Sequence, residues 1–209
     1  MSRTLEEVAA VATGCTRCRL SARRTQVVFG HGNPHADLMF VGEGPGHHED
    51  VQGVPFVGAA GQLLNRLLAG IGLRREEVYI TNVVLCRPPN NRDPLPDEIE
   101  ACSGYLMEQV AAVDPRVIVT LGNFATRVIL GRQVGISRIR GTRETWSGRT
   151  VVPMFHPAAA LRSGGERSPT HQALVNDFAL VRRILDETPP EPPSPAPVSV
   201  GAQEQLGLF

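Results

Sequence analysis

Four apolar runs rich in β-branched residues constrain the fold of this chain more than any other feature of its sequence. Their hydrophobicity is nearly continuous rather than alternating, which is typical of parallel strands buried on both faces of a sheet. The runs occupy 38–44 (LMFVGEG), 78–86 (VYITNVVLC), 116–122 (RVIVTLG) and 150–156 (TVVPMFH). Stretches with helical spacing lie between or after them, at 61–69, 96–113, 123–130 and 170–185. The pattern predicts an α/β fold, a three-layer α/β/α sandwich around a mostly parallel, four-stranded sheet.

The chain divides by composition into one domain and a tail. Its 209 residues favour a single domain, which we expect to span 1–186. Residues 187–197 (ETPPEPPSPAP) contain six prolines, a composition that cannot join a packed core. The sequence therefore predicts a Pro-rich, disordered linker over 187–204, with a short apolar peptide at 205–209 beyond it.

Charge and composition exclude several functions. The 21 basic residues balance 21 acidic ones, so any nucleic-acid-binding face must be local. Every basic residue is Arg, and without Lys the chain has neither a Walker A loop nor a lysine amine for Schiff-base catalysis. No run approaches the roughly 18 apolar residues of a membrane span, and the first residues do not resemble a signal peptide. We expect a cytoplasmic protein without a membrane partner.

Polar residues follow several of the predicted strands. A glycine-rich turn with Glu43 and Glu49 follows the first, Asn82 lies in the second, and His156 ends the fourth. Ligands of parallel α/β sheets bind beyond the carboxyl ends of the strands, so these four side chains are expected to share one cleft. A carboxylate, an amide and an imidazole suit hydrolysis of a base–sugar bond. The alternatives are a tight βα turn with Glu43 capping backbone N–H groups, and Asn82 as a strand-end cap.

The four cysteines suggest a metal site. Cys15 and Cys18 form a CxxC pair, and Cys86 and Cys102 follow much later. Four thiolates can close a tetrahedral zinc site or hold an iron–sulfur cluster, and the spacing alone does not choose between them. The lack of a second CxxC pair favours the cluster. The remaining alternative is four unrelated buried thiols.

Four motifs and the cysteine pattern together resemble the family 4 uracil-DNA glycosylases, the iron–sulfur branch of that superfamily. The motifs are GEGPGHHED at 42–50, PFVGAAGQLL at 55–64, TNVVLCRPPNNR at 81–92 and HPAAAL at 156–161. The resemblance implies a monofunctional DNA repair hydrolase that excises uracil and leaves an abasic site. It also implies a 4Fe-4S cluster on the four cysteines. The rival reading is a non-catalytic or redox-sensing nucleic-acid-binding protein on the same fold.

The resemblance assigns the substrate-binding residues. Phe56 is the stacking ring for the flipped base, and the Asn82 amide donates to uracil O4 and accepts from N3–H, the reverse of what cytosine offers. Gly42 and Gly44 let the ligand approach the backbone closely. The alternative for Phe56 is an ordinary core position.

The resemblance also assigns four catalytic residues. His156 donates to the charge that develops on uracil O2, while Glu43 and Glu49 stabilise the cationic sugar and activate water. The sequence does not divide the roles of the two carboxylates. Asn91 matches a family position near the water or the uracil edge, and it is equally a candidate turn former.

Contacts to DNA are expected from two segments. In the loop after the fourth strand, Leu161 is the candidate wedge for the base stack and Arg162 a phosphate contact. Residues 131–149 carry five arginines against one acidic residue. Such a run is either a phosphate-binding surface or a solvated face.

The final peptide, Gln205–Phe209 (QLGLF), resembles the short segment by which bacterial repair proteins dock on the replication sliding clamp. A random apolar terminus is the alternative. With uracil-containing DNA as the other partner, we expect a monomer associated with the nucleoid.

Overall fold

A six-stranded mixed sheet forms the centre of the protein in the computed structural model, which describes residues 3–187. The strands are β1 (His31–Gly32), β2 (Leu38–Gly42), β3 (Tyr79–Asn82), β4 (Val117–Leu121), β5 (Glu144–Trp146) and β6 (Arg149–Met154). The predicted clamp peptide and the predicted linker, apart from Glu187, lie outside the described residues. Both remain predictions.

The order of the strands is β1-β3-β2-β4-β6-β5. The four central strands are parallel and correspond to the four apolar runs. The predicted count of four strands was wrong, because β1 and β5 add antiparallel edges to β3 and β6. These edge strands have only two and three residues and are not fully buried, so they lack the apolar run that marks a central strand.

Eight α-helices accompany the strands within residues 3–187. They are α1 (Leu5–Thr13), α2 (His47–Gln52), α3 (Ala59–Gly70), α4 (Pro96–Val113), α5 (Asn123–Leu130), α6 (Ile136–Ile139), α7 (Pro157–Arg162) and α8 (Pro169–Asp186). Helix α4 begins with Pro and two acidic residues, and α8 begins with Pro behind the N-cap Ser168. Within that range, no helix is long and apolar enough to cross a bilayer.

The sheet separates two hydrophobic clusters, which confirms the three-layer sandwich. On one face, Phe40 packs with the leucines of α3 and with Phe178 of α8. On the other face, Met39 and Val41 pack with residues of α4 and α5. The strands read as continuous apolar runs because successive side chains enter different layers, both of them buried.

Strand β3 ends earlier than the predicted 78–86 run. After Asn82 the chain follows the glycine-rich turn, where the N–H groups of Val83 and Val84 donate to the carbonyls of Gly42 and Glu43. Cys86 therefore lies four residues beyond the strand in a buried connection. Because the central strands are parallel, the ends of β2, β3 and β6 meet at one edge of the sheet.

Candidate active site and cysteine cavity

A cleft of about 370 Å³ opens at the carboxyl ends of the central strands. Eight of the ten candidate catalytic, substrate-binding and DNA-contact residues line it: Glu43, Gly44, Glu49, Phe56, Asn82, Asn91, His156 and Arg162. Gly42 and Leu161 do not line the cleft. The topology thus gathers side chains from four separate sequence segments, as expected for the ligand-binding edge of a parallel sheet.

Asn82 is poised at the end of β3 without a protein partner for its acceptor. The residue is 1% exposed, and its Oδ1 has no hydrogen-bond partner within the described residues. A buried, unpaired acceptor costs about 1–3 kcal/mol, so its retention points to a ligand that supplies the donor. Gly42 of β2 pairs with Asn82 of β3 and leaves the necessary space, because a Cβ at Gly42 would lie 2.3 Å from Asn82 Oδ1.

Phe56 combines a left-handed backbone with a ring in the cleft. Its φ is 53°, which a bulky L-residue rarely adopts. The ring is almost fully buried and stacks on the His156 imidazole, with centroids 5.5 Å apart and an interplanar angle of 28°. A Cβ at Gly42 would also lie 2.7 Å from the Phe56 ring. The ring is therefore held between the floor of the cleft and the imidazole.

His156 presents a donor to the cleft. It precedes α7, and its Nδ1 accepts a hydrogen bond from the Ala158 N–H at 3.1 Å. Burial lowers the pKa of His156 to about 4, with Arg162 acting in the same direction and Glu49 opposing it. The imidazole is therefore neutral near pH 7, and since Nδ1 is an acceptor, the proton resides on Nε2.

Glu43 is a carboxyl group of the cleft with a strongly raised pKa. Burial raises its pKa to about 7, and the charge of Asp93 adds to this rise while Arg162 opposes it. A carboxyl group with this pKa exchanges protons near neutral pH, as a general base or acid must. Asp93, which the sequence reasoning missed, carries no motif of its own, and only the fold brings it near Glu43.

Glu49 has a different environment from Glu43. Its Oε1 accepts from the N–H groups of Val57 and Gly58, at 3.0 and 2.9 Å. The sequence offered Glu43 as the residue that caps backbone N–H groups, but in the structure Glu49 makes these bonds. These two bonds tie α2 to the turn that carries Phe56.

Asn91 lies on the rim of the cleft in a left-handed conformation, with φ 53°. Its Oδ1 accepts from Arg87 Nε at 2.7 Å, which orients the side-chain amide. The loop is anchored below by the fully buried Glu98, which accepts from Arg92 and from the Leu95 N–H. Glu98 was missed as a site-building residue, although an acid in the first turn of α4 is the usual sign of such an anchor.

The loop expected to enter DNA is short and partly packed. Ala160 is fully buried, and Leu161 packs against the first hydrophobic cluster. Arg162 is exposed on the rim of the cleft. Leu161 as the wedge stays a prediction.

Most arginines of 131–149 are engaged within the protein. The ion pairs are Arg132–Glu144, Arg140–Asp177, Arg143–Glu187 and Arg149–Asp114. Glu144 of the segment itself and three acids from other segments, Asp114, Asp177 and Glu187, thus pair with four of its five arginines. These contacts favour the reading of a paired surface over a phosphate-binding one.

The four cysteines line one cavity between α1, α4 and the connection after β3. Backbone and side-chain N–H groups approach three of the sulfurs: Arg24 donates to Cys86, Leu85 to Cys102 and Arg17 to Cys15, at 3.4–3.5 Å. The walls are largely apolar, with Ala12, Val27, Leu85 and Tyr105 among them. Gathering of all four thiols argues against the alternative of unrelated buried cysteines.

Burial dominates the electrostatics of the cysteine cavity. It raises the pKa of Cys102 to about 12 and also raises the pKa of Cys86. The other thiols add to both shifts, because neighbouring thiolates repel one another. Within residues 3–187, no group of three or more Cys, His, Asp or Glu side chains is arranged to hold a single metal ion.

Comparison with known proteins decides the family. The sequence profile of the Uracil DNA glycosylase superfamily matches residues 29–179. A type-4 uracil-DNA glycosylase of Archaeoglobus fulgidus is 48% identical over 195 residues, which cover 90% of this chain and 96% of that protein. The chain belongs to the type-4 uracil-DNA glycosylases. Another such glycosylase, of Thermotoga maritima, is 50% identical over 151 residues, 71% of this chain and 79% of its own.

The chain matches a type-4 uracil-DNA glycosylase over more of its length than it matches a type-5 uracil-DNA glycosylase. A type-5 uracil-DNA glycosylase of Pyrobaculum aerophilum is 37% identical, but the match covers 61% of this chain and 63% of that protein. The match to the type-4 glycosylase of Archaeoglobus fulgidus extends over much more of both chains. The family predicted from the motifs is thus confirmed.

Proposed function

We propose that the protein excises uracil from DNA by hydrolysing its N-glycosidic bond, leaving an abasic site for base excision repair. The observation that carries this proposal is the buried, unpaired Oδ1 of Asn82 beside the ring of Phe56, whose backbone is left-handed. This pair offers an acceptor and a stacking surface to one flat base. Family membership supports the same activity, because the type-4 relatives are named for it.

Recognition of the base rests on Asn82 and Phe56. Asn82 Oδ1 accepts from uracil N3–H, while its amide N–H donates to O4. Cytosine presents the opposite pattern at these positions and would leave buried groups unpaired, at about 1–3 kcal/mol each. Phe56 stacks on the base, and Gly42 and Gly44 keep the backbone clear of it.

Cleavage sends the bonding electrons into the leaving base. As the bond between the sugar and uracil N1 breaks, negative charge develops on uracil O2 and positive charge on the sugar. His156 is neutral because burial disfavours the imidazolium, and it donates a hydrogen bond from Nε2–H to O2 without transferring the proton. Uracil thus departs as an anion stabilised by a donor that is already in place.

The two carboxylates divide the remaining work. Glu43, with a pKa of about 7, accepts a proton from the water that attacks the sugar. Glu49 uses Oε1 to hold the Phe56 turn, and its negative charge faces the cationic sugar. Asn91, oriented by Arg87, offers its amide N–H₂ to the water or the base edge.

The four cysteines fit a 4Fe-4S cluster. Four thiols around one cavity suit a cubane, which takes one ligand at each of its iron corners, and the N–H donors near Cys15, Cys86 and Cys102 suit thiolate sulfur. When bound, the cluster supplies iron–thiolate bonds that cross-link the N-terminal segment, the connection after β3 and α4. No step of base excision passes through it.

Two further parts of the proposal rest on the sequence. The chain has no Lys, so it should leave the abasic strand unbroken. Gln205–Phe209 docks on the sliding clamp, and the protein acts as a monomer at the nucleoid. Deleting 203–209 should abolish retention on immobilised clamp and spare excision on a short oligonucleotide. Unchanged retention would remove the clamp hypothesis.

Excision is tested with anaerobically purified protein and an end-labelled oligonucleotide that contains one uracil. Breakage at that position only after alkali supports base excision without strand cleavage. A matched oligonucleotide with cytosine or thymine at the same position serves as the control and should stay intact. Breakage before alkali would contradict the monofunctional mechanism. An intact uracil strand in both lanes, with visible cluster absorption present, would replace the proposal with a non-catalytic binding protein.

A further inference from the structure

Arg75 lies outside the cleft but contacts the backbone that carries Phe56. It begins the 3-10 turn Arg75–Glu77 ahead of β3. Its guanidinium donates to the carbonyl of Phe56 at 3.0 Å, to the carbonyl of Pro55, and to Asn65 Oδ1 at 3.3 Å. Arg75 is not among the residues that line the cleft. Its contacts therefore reach the site only through the main chain.

The backbone that accepts these hydrogen bonds from Arg75 includes the strained residue Phe56. A left-handed conformation at a non-glycine residue is strained and persists only where surrounding contacts hold it in place. Phe56 has φ 53° and is followed by two N–H groups, of Val57 and Gly58, that donate to Glu49. The carbonyls of Pro55 and Phe56, which precede these N–H groups in the chain, accept hydrogen bonds from Arg75. A carboxylate and a guanidinium thus hold the same short turn from its two polar sides.

A third contact keeps the turn in place. The Phe56 carbonyl approaches α3 so closely that a Cβ at Gly61 would lie 1.8 Å from its oxygen. The oxygen therefore fits between the helix backbone and the guanidinium.

Burial lowers the pKa of Arg75, while the negative charges of Glu76 and Glu49 oppose that shift. The guanidinium remains charged near pH 7 because arginine starts from a very high pKa.

We infer that Arg75 is a positioning residue for base excision, which fixes the backbone of Pro55 and of the left-handed Phe56 and so holds the Phe56 ring in stacking position. This inference rests on the proposed function, because the ring needs a base to stack on. A guanidinium suits the task, since its planar fork serves several acceptors at once, whereas a lysine ammonium is a single point charge. Displacement of a positioning group by about 1 Å can cost up to about a hundredfold in rate.

The test is a double-mutant cycle with Arg75→Met, Phe56→Leu and the double variant. Single-turnover excision of uracil is measured for each, with the unfolding temperature as a check on the fold. We expect Arg75→Met to slow excision by roughly ten- to a hundredfold in the wild-type background, and by less than about twofold in the Phe56→Leu background. The loss should fall on the single-turnover rate at saturating enzyme rather than on the half-saturating enzyme concentration, since Arg75 does not line the cleft.

Two single variants complete the design. Arg74→Met is the matched control, because the neighbouring arginine is largely exposed and pairs only locally, with Glu77. It should excise within about twofold of wild type. The excision rate of Arg75→Lys should fall between those of wild type and Arg75→Met. If Arg75→Met does not fold, Arg75→Lys replaces it in the double-mutant cycle with Phe56→Leu.

Three results would overturn the inference. They are an Arg75 variant as fast as wild type, a loss that persists undiminished without the Phe56 ring, and an equal loss in Arg74→Met. With an active wild-type enzyme, each of these refutes the role of Arg75 alone. An inactive wild-type protein refutes the proposed function, and this inference with it.

Discussion

The cleft and the cysteine cavity are built in opposite ways, although both draw on the chain at and after the end of β3. In the cleft, the protein's own hydrogen bonds orient the reactive groups, as Ala158 does for His156 and Val57 does for Glu49. In the cavity, long N–H contacts approach three sulfurs, and burial raises the pKa of Cys86 and Cys102. The cleft is organised before its ligand arrives, whereas the cavity is expected to gain stability from the proposed cluster. Changes in the cleft should therefore affect rate, and changes in the cavity should affect stability.

The largest effect on rate is expected from Glu43→Gln. Removing the general base should lower single-turnover excision by about 10²–10⁴-fold. In the wild type the rate of excision should rise as the pH passes through about 7, because Glu43 must lose its proton to act as the base and its pKa is raised to about 7. The variant should lose that rise. A pH–rate profile of both proteins checks the prediction, and an unchanged rise in the variant would assign the base elsewhere.

The same substitution separates rate from stability. Because folding raises the pKa of Glu43 above its ordinary value, ionising this carboxyl costs stability as pH rises through the interval between the two pKa values. Glu43→Gln removes that cost. Its unfolding temperature should equal or exceed that of the wild type at pH 8, with a smaller difference at pH 5. If Glu43→Gln unfolded at a lower temperature than wild type at pH 8, changes in the cleft would affect stability as well as rate, and the contrast with the cysteine cavity would be wrong.

Cys102→Ser should produce the largest change in stability. Loss of one cluster ligand removes binding free energy that counts toward folding, and we expect the unfolding temperature to fall by on the order of 10 °C. Visible absorption of the cluster should fall with it. Ser103→Ala, one position along α4, is the matched control and should retain both, because its hydroxyl bonds only to the Glu100 carbonyl of the same helix. A Cys102→Ser protein of wild-type stability and colour would argue against the cluster.

Asn82→Ala should lower activity without the loss of stability expected for a change in the cavity. Excision of uracil should slow by roughly ten- to a hundredfold, since one buried recognition pair is worth about 1–3 kcal/mol. The unfolding temperature should change by no more than a few degrees, because Oδ1 makes no hydrogen bond within the described residues. Excision assays and thermal unfolding of the same preparation check both halves. A large fall in unfolding temperature would show that Asn82 supports the fold.

The smallest expected effect concerns the rim of the cleft. Arg162 lies on it, exposed, whereas Arg143 is paired with Glu187. Arg162→Ala should therefore weaken DNA binding at low salt and reduce the slope of log K against log salt by about one, the loss of one phosphate contact. Arg143→Ala should leave that slope unchanged. Equal slopes in the two variants would remove Arg162 from the DNA-binding face.

Much of the architecture was predictable because it follows from local patterns. The helices expected at 96–113 and 123–130 have those bounds, since Pro96 begins one and Gly122 and Gly131 flank the other. The edge strands β1 and β5 were missed because a pair of short, half-exposed segments has no apolar run. Leu161, which stays the predicted wedge, also packs on the core, a contact that the six-residue motif HPAAAL does not reveal.

The sequence by itself determined the layers, the parallel sheet, the four-cysteine set and the residues that meet in the cleft. The layers and the sheet follow from the hydrophobic period. The cleft residues follow from the rule that parallel strands end at one edge and from the family resemblance, and the cysteine set follows from the four cysteines themselves. Only the tertiary structure decided that Glu49 holds a turn while Glu43 has the raised pKa, and that Arg75 grips the carbonyl of Phe56. Burial, charge and hydrogen bonding depend on distances between residues far apart in the chain, and those distances exist only after folding.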